Sequence, residues 1–295
     1  EDVLRAEFPN TPVIFALQET PLGTADAARA GLKVLPHGVL RVMLLCGDTP
    51  LLTPATLAKL ERAKRGAPLS LLTAKLSNPH GYGRILYNAA GLVSEIVEER
   101  DATPMQRAIS EVNAGVYCVE AAFLRKAVSH LRKDNTQGEY YLTDIVAAAA
   151  PRGGAVSVCV EDADEISGIN SQDQLQAVEA ILRARCRCRL QKAGVVFTDP
   201  RSVLLGVNVK IAKTAVIGVS VQLYGDVSIG AGAHVEGPTL IRDSHIGAHA
   251  HIHAFSHLEG ARIASKAQVG PFARLRAGAE LAVGSRVGNF VEIKK

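Results

Sequence analysis

Aliphatic side chains recur along the second half of the chain at an interval that suits neither a helix nor a lone strand. They fall at Ile211, Ile217, Leu223, Ile229, Val235 and Ile241, each six residues after the last, and a step of five then reaches Ile246. Sixes resume through Ile252 and Leu258, a second step of five leads to Ile263, and Val269, Leu275, Leu281, Val287 and Ile293 follow in sixes. A small or β-branched residue sits two places before each of these fifteen, from Val209 and Ala215 to Ser285 and Val291. A helix repeats near 3.6 and a half-buried strand at 2. A sustained six predicts a parallel β-helix, in which each side of an ~18-residue coil turns one aliphatic into a shared interior. The alternative, a Val/Gly-rich sandwich with a chance period, does not account for fifteen consecutive matches, and the stretch supplies roughly four to five coils.

The first half keeps shorter rhythms. Strand-like runs at 13–17, 41–46, 69–75, 93–98, 111–119 and 156–160 alternate with helical segments at 25–34, 54–64, 121–131 and 143–149. Thr53 with Pro54 after it reads as a helix N-cap and first helical residue. Such alternation predicts an α/β domain with a mostly parallel sheet. From Gln172 to about Lys192 the pattern is helical without a break until Gly194 stops it, so a connector helix is expected between the two patterns. The expected organisation is an α/β domain over 1–171, the connector over 172–194 and the β-helix over 195–295. Arg183, Arg185, Arg187 and Arg189 are spread around that helix, which suits a solvated surface better than a nucleic-acid stripe.

Composition adds bounds. At 295 residues, two domains are the default, and a net charge of +4 without clustering argues against a nucleic-acid binder. No apolar run approaches the ~20 residues that span a bilayer, and no signal peptide is visible. Five scattered cysteines (Cys46, Cys118, Cys159, Cys186, Cys188) read as reduced thiols of a cytoplasmic protein. The chain starts at Glu1 without Met and stops at Lys295 with the hexad beat still running, so both ends are expected to be cut.

Asp48 is the sharpest candidate for chemistry, because a carboxylate directly after an apolar strand lies where doubly wound sheets bind ligands. Oxygen ligation there suits Mg²⁺, although Gly47-Asp48-Thr49-Pro50 also reads as a plain turn. Glu98 and Asn113, near strand ends, suit sugar hydroxyls or local satisfaction. Asn170 just precedes the connector helix and reads equally as its N-cap. Gly23-Thr24 and Gly81-Tyr82-Gly83 read first as structural turns, though such turns also let backbone approach a ligand. His245, His249, His251, His253 and His257 invite a metal reading, but they take non-aliphatic hexad positions and read better as surface histidines.

As a set, the motifs resemble one family along essentially the whole chain: the bifunctional N-acetylglucosamine-1-phosphate uridylyltransferase/glucosamine-1-phosphate N-acetyltransferases (GlmU type). The matching runs are Leu17-Gln18 with Leu22-Gly23-Thr24, Cys46-Gly47-Asp48-Thr49-Pro50-Leu51, Gly81-Tyr82-Gly83-Arg84-Ile85, Ile96-Val97-Glu98 and Glu111-Val112-Asn113-Ala114-Gly115. They continue with Gln137-Gly138-Glu139-Tyr140-Tyr141-Leu142-Thr143-Asp144, Gly168-Ile169-Asn170 and Gly270-Pro271-Phe272-Ala273-Arg274-Leu275-Arg276. The resemblance implies an α/β nucleotidyltransferase with a Rossmann-like, mostly parallel sheet, incomplete at its N-terminus. A long connector helix and a left-handed parallel β-helix of hexapeptide repeats would follow. It implies that Gln18, Gly23 and Thr24 meet the uracil end of the nucleotide. It assigns Mg²⁺ to Asp48 and Asn170, and the N-acetylglucosamine part to Gly83, Glu98 and Asn113, with Thr143 close by. UTP and N-acetylglucosamine 1-phosphate would give UDP-N-acetylglucosamine, a precursor of bacterial cell-wall polymers, and pyrophosphate. In the β-helix, Arg276 and Lys294 match sugar-phosphate positions of an acetyltransferase site that uses acetyl-CoA between subunits of a homotrimer.

Some positions depart from the family. Nothing in 1–12 matches its opening glycine-rich loop, Leu-x-x-Gly-x-Gly-Thr-Arg-Met, or the Pro-Lys after it. Cys46 replaces the more usual Tyr, and Ala25-Asp26 replaces Gly-His. The catalytic histidine and the CoA-binding coils have no counterpart before Lys295. These 295 residues are therefore expected to have little or no activity by themselves. Two other readings remain: a trimeric scaffold that binds UDP-sugar without turnover, and a nucleotidyltransferase for a different sugar 1-phosphate.

Overall fold

The computed structural model describes residues 6, 12–63 and 66–294, and the chain divides into two compact units, Glu1–Asn170 and Ser171–Lys295. The first unit is built on one sheet: β1 (Arg41–Leu44), β2 (Leu69–Lys75), β3 (Arg84–Tyr87), β4 (Val93–Val97), β5 (Glu111–Glu120) and β6 (Val156–Cys159). Its order is β4-β3-β5-β2-β6, with β1 pairing β5 off that path. β2 alternates faces residue by residue, Leu69 and Leu71 entering one core and Leu72 and Ala74 the other. Three helices cover the first core: α1 (Thr24–Val34), α4 (Ala121–His130) and α5 (Asp144–Ala149) bury Leu32, Phe123, Leu124, Ile145 and Val146 there. α2 (Pro54–Ala63) sends Leu60 into the second core. The expected cap is present, since Thr53 Oγ1 accepts the Thr56 N–H at 3.2 Å; Lys64, expected at the end of this helix, lies outside the described residues. A short α3 (Pro104–Arg107) precedes β5.

Two expectations need correction. The sheet is mixed: β1, β2 and β3 all run antiparallel to β5, β3 is antiparallel to β4, and only β2–β6 is parallel. Hydrophobic alternation reports which face a residue takes, and it is blind to strand direction. The apolar run at 13–17 forms no strand, and Ile14 and Leu17 are 61% and 83% exposed. Strand propensity measures fit to a pleated, half-buried surface, and most of this run is exposed.

In the second unit, α6 (Gln172–Lys192) is capped by the Ser171 side chain, which accepts the Gln174 N–H at 3.3 Å, and ends before Gly194, whose φ is +91°. It is mostly solvated, but Leu190 packs into the β-helix core. The coils that follow form three parallel sheets of six, six and five short strands. Ile217, Val235, Ile252 and Val269 stack behind one face, Leu223, Ile241, Leu258 and Leu275 behind the second, and Ile211, Ile229, Ile246 and Ile263 behind the third. This is a left-handed parallel β-helix. Both five-residue steps, Ile241 to Ile246 and Leu258 to Ile263, cross between the same two faces, so the stacking survives them. Corner residues adopt positive φ, and at one corner Phe255, Phe272 and Phe290 stack with ring centroids 4.9 and 5.0 Å apart.

Candidate functional site

β5 is the longest strand of the sheet, and β1 and β3 share one of its edges. β1 pairs with residues 117–120 and β3 with Val112, leaving the strip around Gly115 uncovered by either. A cavity of about 660 Å³ opens there, lined by Thr24, Leu44, Cys46, Gly47, Glu98, Asn113, Gly115, Tyr117 and Thr143 among others. Four residues singled out from the sequence, Thr24, Glu98, Asn113 and Thr143, therefore meet around one space. Its apolar wall comes from α1 and β1, with Leu32, Leu35 and Val42.

Each polar side chain is held from behind. The Thr143 hydroxyl donates to Glu98 Oε1 at 3.0 Å. Burial pushes the Glu98 carboxyl up, the Thr143 hydrogen bond opposes this, and nearby Asp101 and Asp144 add to the rise. Asn113 Nδ2 donates to the Tyr117 hydroxyl at 2.8 Å, while its Oδ1 accepts the Gly115 N–H at 3.1 Å. Tyr117 is fully buried, which pushes its phenol well above the ordinary range and keeps it neutral. The site's sequence reading missed Tyr117; the alternation Asn113, Gly115, Tyr117 along one strand face was its signal. Gly83 does not line the cavity, but its carbonyl accepts the Asn113 N–H at 2.9 Å, and a Cβ on it would meet Ile96 at 2.8 Å. The same turn is locked by Arg84, 1% exposed, which pairs with Glu99 at 2.6 Å and donates to the carbonyls of Tyr82 and Arg107.

Gln18 and Gly23 stand beside this group as a stitched loop. Gln18 Nε2 donates to Asp26 Oδ2 at 2.9 Å and the Gly23 carbonyl at 3.3 Å. The Ala25 N–H is spent on Tyr140 O, and Thr24 Oγ1 accepts the Leu142 N–H. These bonds tie the turn to the segment at 140–142. Cys46 contacts the Gly115 carbonyl at 3.6 Å, and burial followed by the Asp48 charge raises its thiol.

Asp48 and Asn170 converge on Gly168, where an added Cβ would lie 3.4 Å from Asp48 Oδ2 and 3.8 Å from Asn170 Nδ2. The Ile169 N–H also donates to the Asp48 carbonyl at 3.0 Å. Because Ser171 caps α6, Asn170 is not the cap. A carboxylate and an amide, both solvent-exposed, suit a hard cation that keeps waters and substrate oxygens in its shell. In the β-helix, Arg276 and Lys294 flank Glu292 at 3.8 Å each, half-exposed on one face. All five cysteines are free, and no helix among the described residues is long and apolar enough to cross a membrane.

A family model described as nucleotidyl transferase matches residues 5–165. The bifunctional protein GlmU of Anaeromyxobacter sp. is 41% identical over 295 residues, 100% of this chain and 60% of its own length. The GlmU proteins of Trichlorobacter lovleyi and Sorangium cellulosum are 43% and 42% identical over 283 residues, 95% of this chain and 62% and 59% of theirs. The chain thus spans about three fifths of the length of the curated relatives it matches.

Proposed function

The chain belongs to the nucleotidyl transferase family, and on that premise we propose that its first unit serves uridylyl transfer from UTP to N-acetylglucosamine 1-phosphate. The products are UDP-N-acetylglucosamine and pyrophosphate. The observation that carries this reading is the single cavity where Thr24, Glu98, Asn113 and Thr143 meet, with Gly47, the neighbour of Asp48, on its wall. Asn113 and Glu98, fixed by Tyr117 and Thr143, suit the amide and hydroxyls of an acetamido sugar. Gln18, Gly23 and Thr24 take the uracil end. Asp48 and Asn170 hold Mg²⁺, which supplies charge neutralisation at the phosphates. A sugar-phosphate oxygen forms the new bond to the α-phosphorus, and the α–β bridging bond breaks with pyrophosphate leaving. In the whole protein, we assign the β-helix to oligomerisation as a homotrimer and to acetyl-CoA-dependent N-acetylation of glucosamine 1-phosphate, with Arg276 and Lys294 holding the sugar phosphate.

The test is pyrophosphate release by the whole protein from UTP, Mg²⁺ and N-acetylglucosamine 1-phosphate, expected to need all three, to vanish in Asp48→Ala and to be weak or absent in these 295 residues alone. A second reading, UDP-sugar binding without turnover, is favoured by the Gly23-Thr24 turn, which is packed against Tyr140: the Ala25 N–H is spent on Tyr140 O, and a Cβ on Gly23 would meet that oxygen at 2.5 Å. A thermal shift with UDP-N-acetylglucosamine but no pyrophosphate would select it. An equal shift with UDP-glucose would select a different sugar 1-phosphate.

A further inference from the structure

Parallel coils bring residues 17 apart side by side, and one such pairing sets His234 against His251. Residues two further on share the same outward face, so Glu236 and His253 complete a two-by-two patch. The rings of His234 and His251 stack at 4.8 Å, and those of His251 and His253 at 4.1 Å. Glu236 Oε1 is central, 2.7 Å from His251 Nε2 and 3.4 Å from His253 Nδ1. Its other oxygen accepts the Ala254 N–H at 3.2 Å, which orients the carboxylate toward the imidazoles.

The ligand atoms of His234, Glu236 and His251 all lie within 4.8 Å of one another. Tetrahedral sites with metal–ligand bonds of ~2.0–2.2 Å need ligand spacings of roughly 3.4 Å, so small side-chain rotations close the set. Across the strands, one coil further on either side, the patch ends at Val216 and Gln268 on one column. On the other it ends at Gly218 and Gly270, one residue beyond the paired Ile217–Val235 and Ile252–Val269. No cationic side chain occupies any of these four flanking positions. We propose that His234, Glu236 and His251, with His253 beside them, bind a divalent transition-metal ion such as Zn²⁺ on one face of the β-helix and tie two successive coils together. Two imidazoles and a carboxylate suit Zn²⁺ far better than Mg²⁺, which prefers oxygen alone. The chain would thus sort two metals into two places, the oxygen pair at Asp48 and Asn170 and the imidazole patch on the coil. The sequence concealed this patch because its members come from two coils, and His234 and Glu236 stand apart from the run of five histidines.

Calorimetric titration of the tag-free 295-residue chain with ZnCl₂ tests it. One equivalent per chain is expected, undisturbed by excess MgCl₂. His251→Ala and Glu236→Gln should each weaken binding at least ~10-fold, whereas His257→Ala, on another face, should not. Thermal melts without zinc verify that the variants fold, and zinc should raise the melting temperature of the parent and His257→Ala chains but not of His251→Ala or Glu236→Gln. Absence of zinc uptake, or uptake equal in parent, His251→Ala and Glu236→Gln chains, would overturn the site.

Discussion

In the β-helix, neighbours in space are neighbours on a count: a buried aliphatic meets its partners 17 or 18 residues away, coil after coil. In the α/β unit, the groups that meet at one cavity have no such relation, and Thr24 is bonded to backbone 118 residues on. The repeat spends nearly all its inward positions on packing and keeps polar chemistry outside. The α/β unit instead buries polar side chains, including Arg84, Thr143 and Tyr117, and satisfies each one individually. Removal of one inward aliphatic therefore opens a cavity in a uniform stack, whereas loss of one buried polar group unlatches a specific turn.

The largest effect should come from the stack. Ile252→Ala, at a position fully buried between coils, should lower stability by about 4 kcal/mol in urea unfolding; a loss below ~1 kcal/mol would mean the coils collapse around defects and the comparison fails. Arg84→Met should cost about 3 kcal/mol, since it strips three partners from a buried guanidinium site. Unlike Ile252→Ala, it should also weaken UDP-N-acetylglucosamine binding, because Arg84 holds the turn that carries Gly83. Gly23→Ala should cost roughly 2 kcal/mol, because φ is +115° and the new Cβ would lie 2.5 Å from Tyr140 O. Gly23→Ala should also weaken UDP-N-acetylglucosamine binding, and unchanged binding would show that the stitched loop is not part of the site.

A pH series gives a subtler contrast. Burial raises the Glu98 carboxyl, so the folded chain holds that proton more tightly than the unfolded chain. Stability from this group is therefore lost as pH rises from the ordinary glutamate value to the raised one, and is level above it. Glu98→Gln should remove that fall, so its melting temperature should gain on the parent between pH 4 and pH 7. A parallel shift at both pH values would place the carboxylate in an ordinary environment. The smallest effect is expected at Leu17, 83% exposed, where Leu17→Ser should stay within ~0.5 kcal/mol.

Particular residues show how far sequence reading reaches. The β-helix, the Thr53 cap and the Gly194 stop were legible, because each depends on spacing or on backbone chemistry within one turn. Thr24, Glu98 and Asn113 were visible one by one at a turn and at strand ends, but Thr143 and the grouping of the sugar contacts came only through family motifs. Asn170 had the position of a helix cap, but it is Ser171 that holds the Gln174 amide. The run at 13–17 had a strand's pattern, but most of its side chains stay exposed, so the pattern buries no face.

By itself, then, the amino-acid sequence determined the repeat, its two five-residue steps, the helix that precedes it and the residue types available for chemistry. All of these are periodicities or local preferences, set by the bonds of one chain segment. Tertiary structure alone decided strand direction, the gap on β5 that opens the cavity and the backing of Asn113 by Tyr117. It also decided the meeting of Asp48 with Asn170 and of His234 with His251. Those depend on which distant segments share a hydrogen-bond ladder, and hydrophobic pattern does not record a ladder partner.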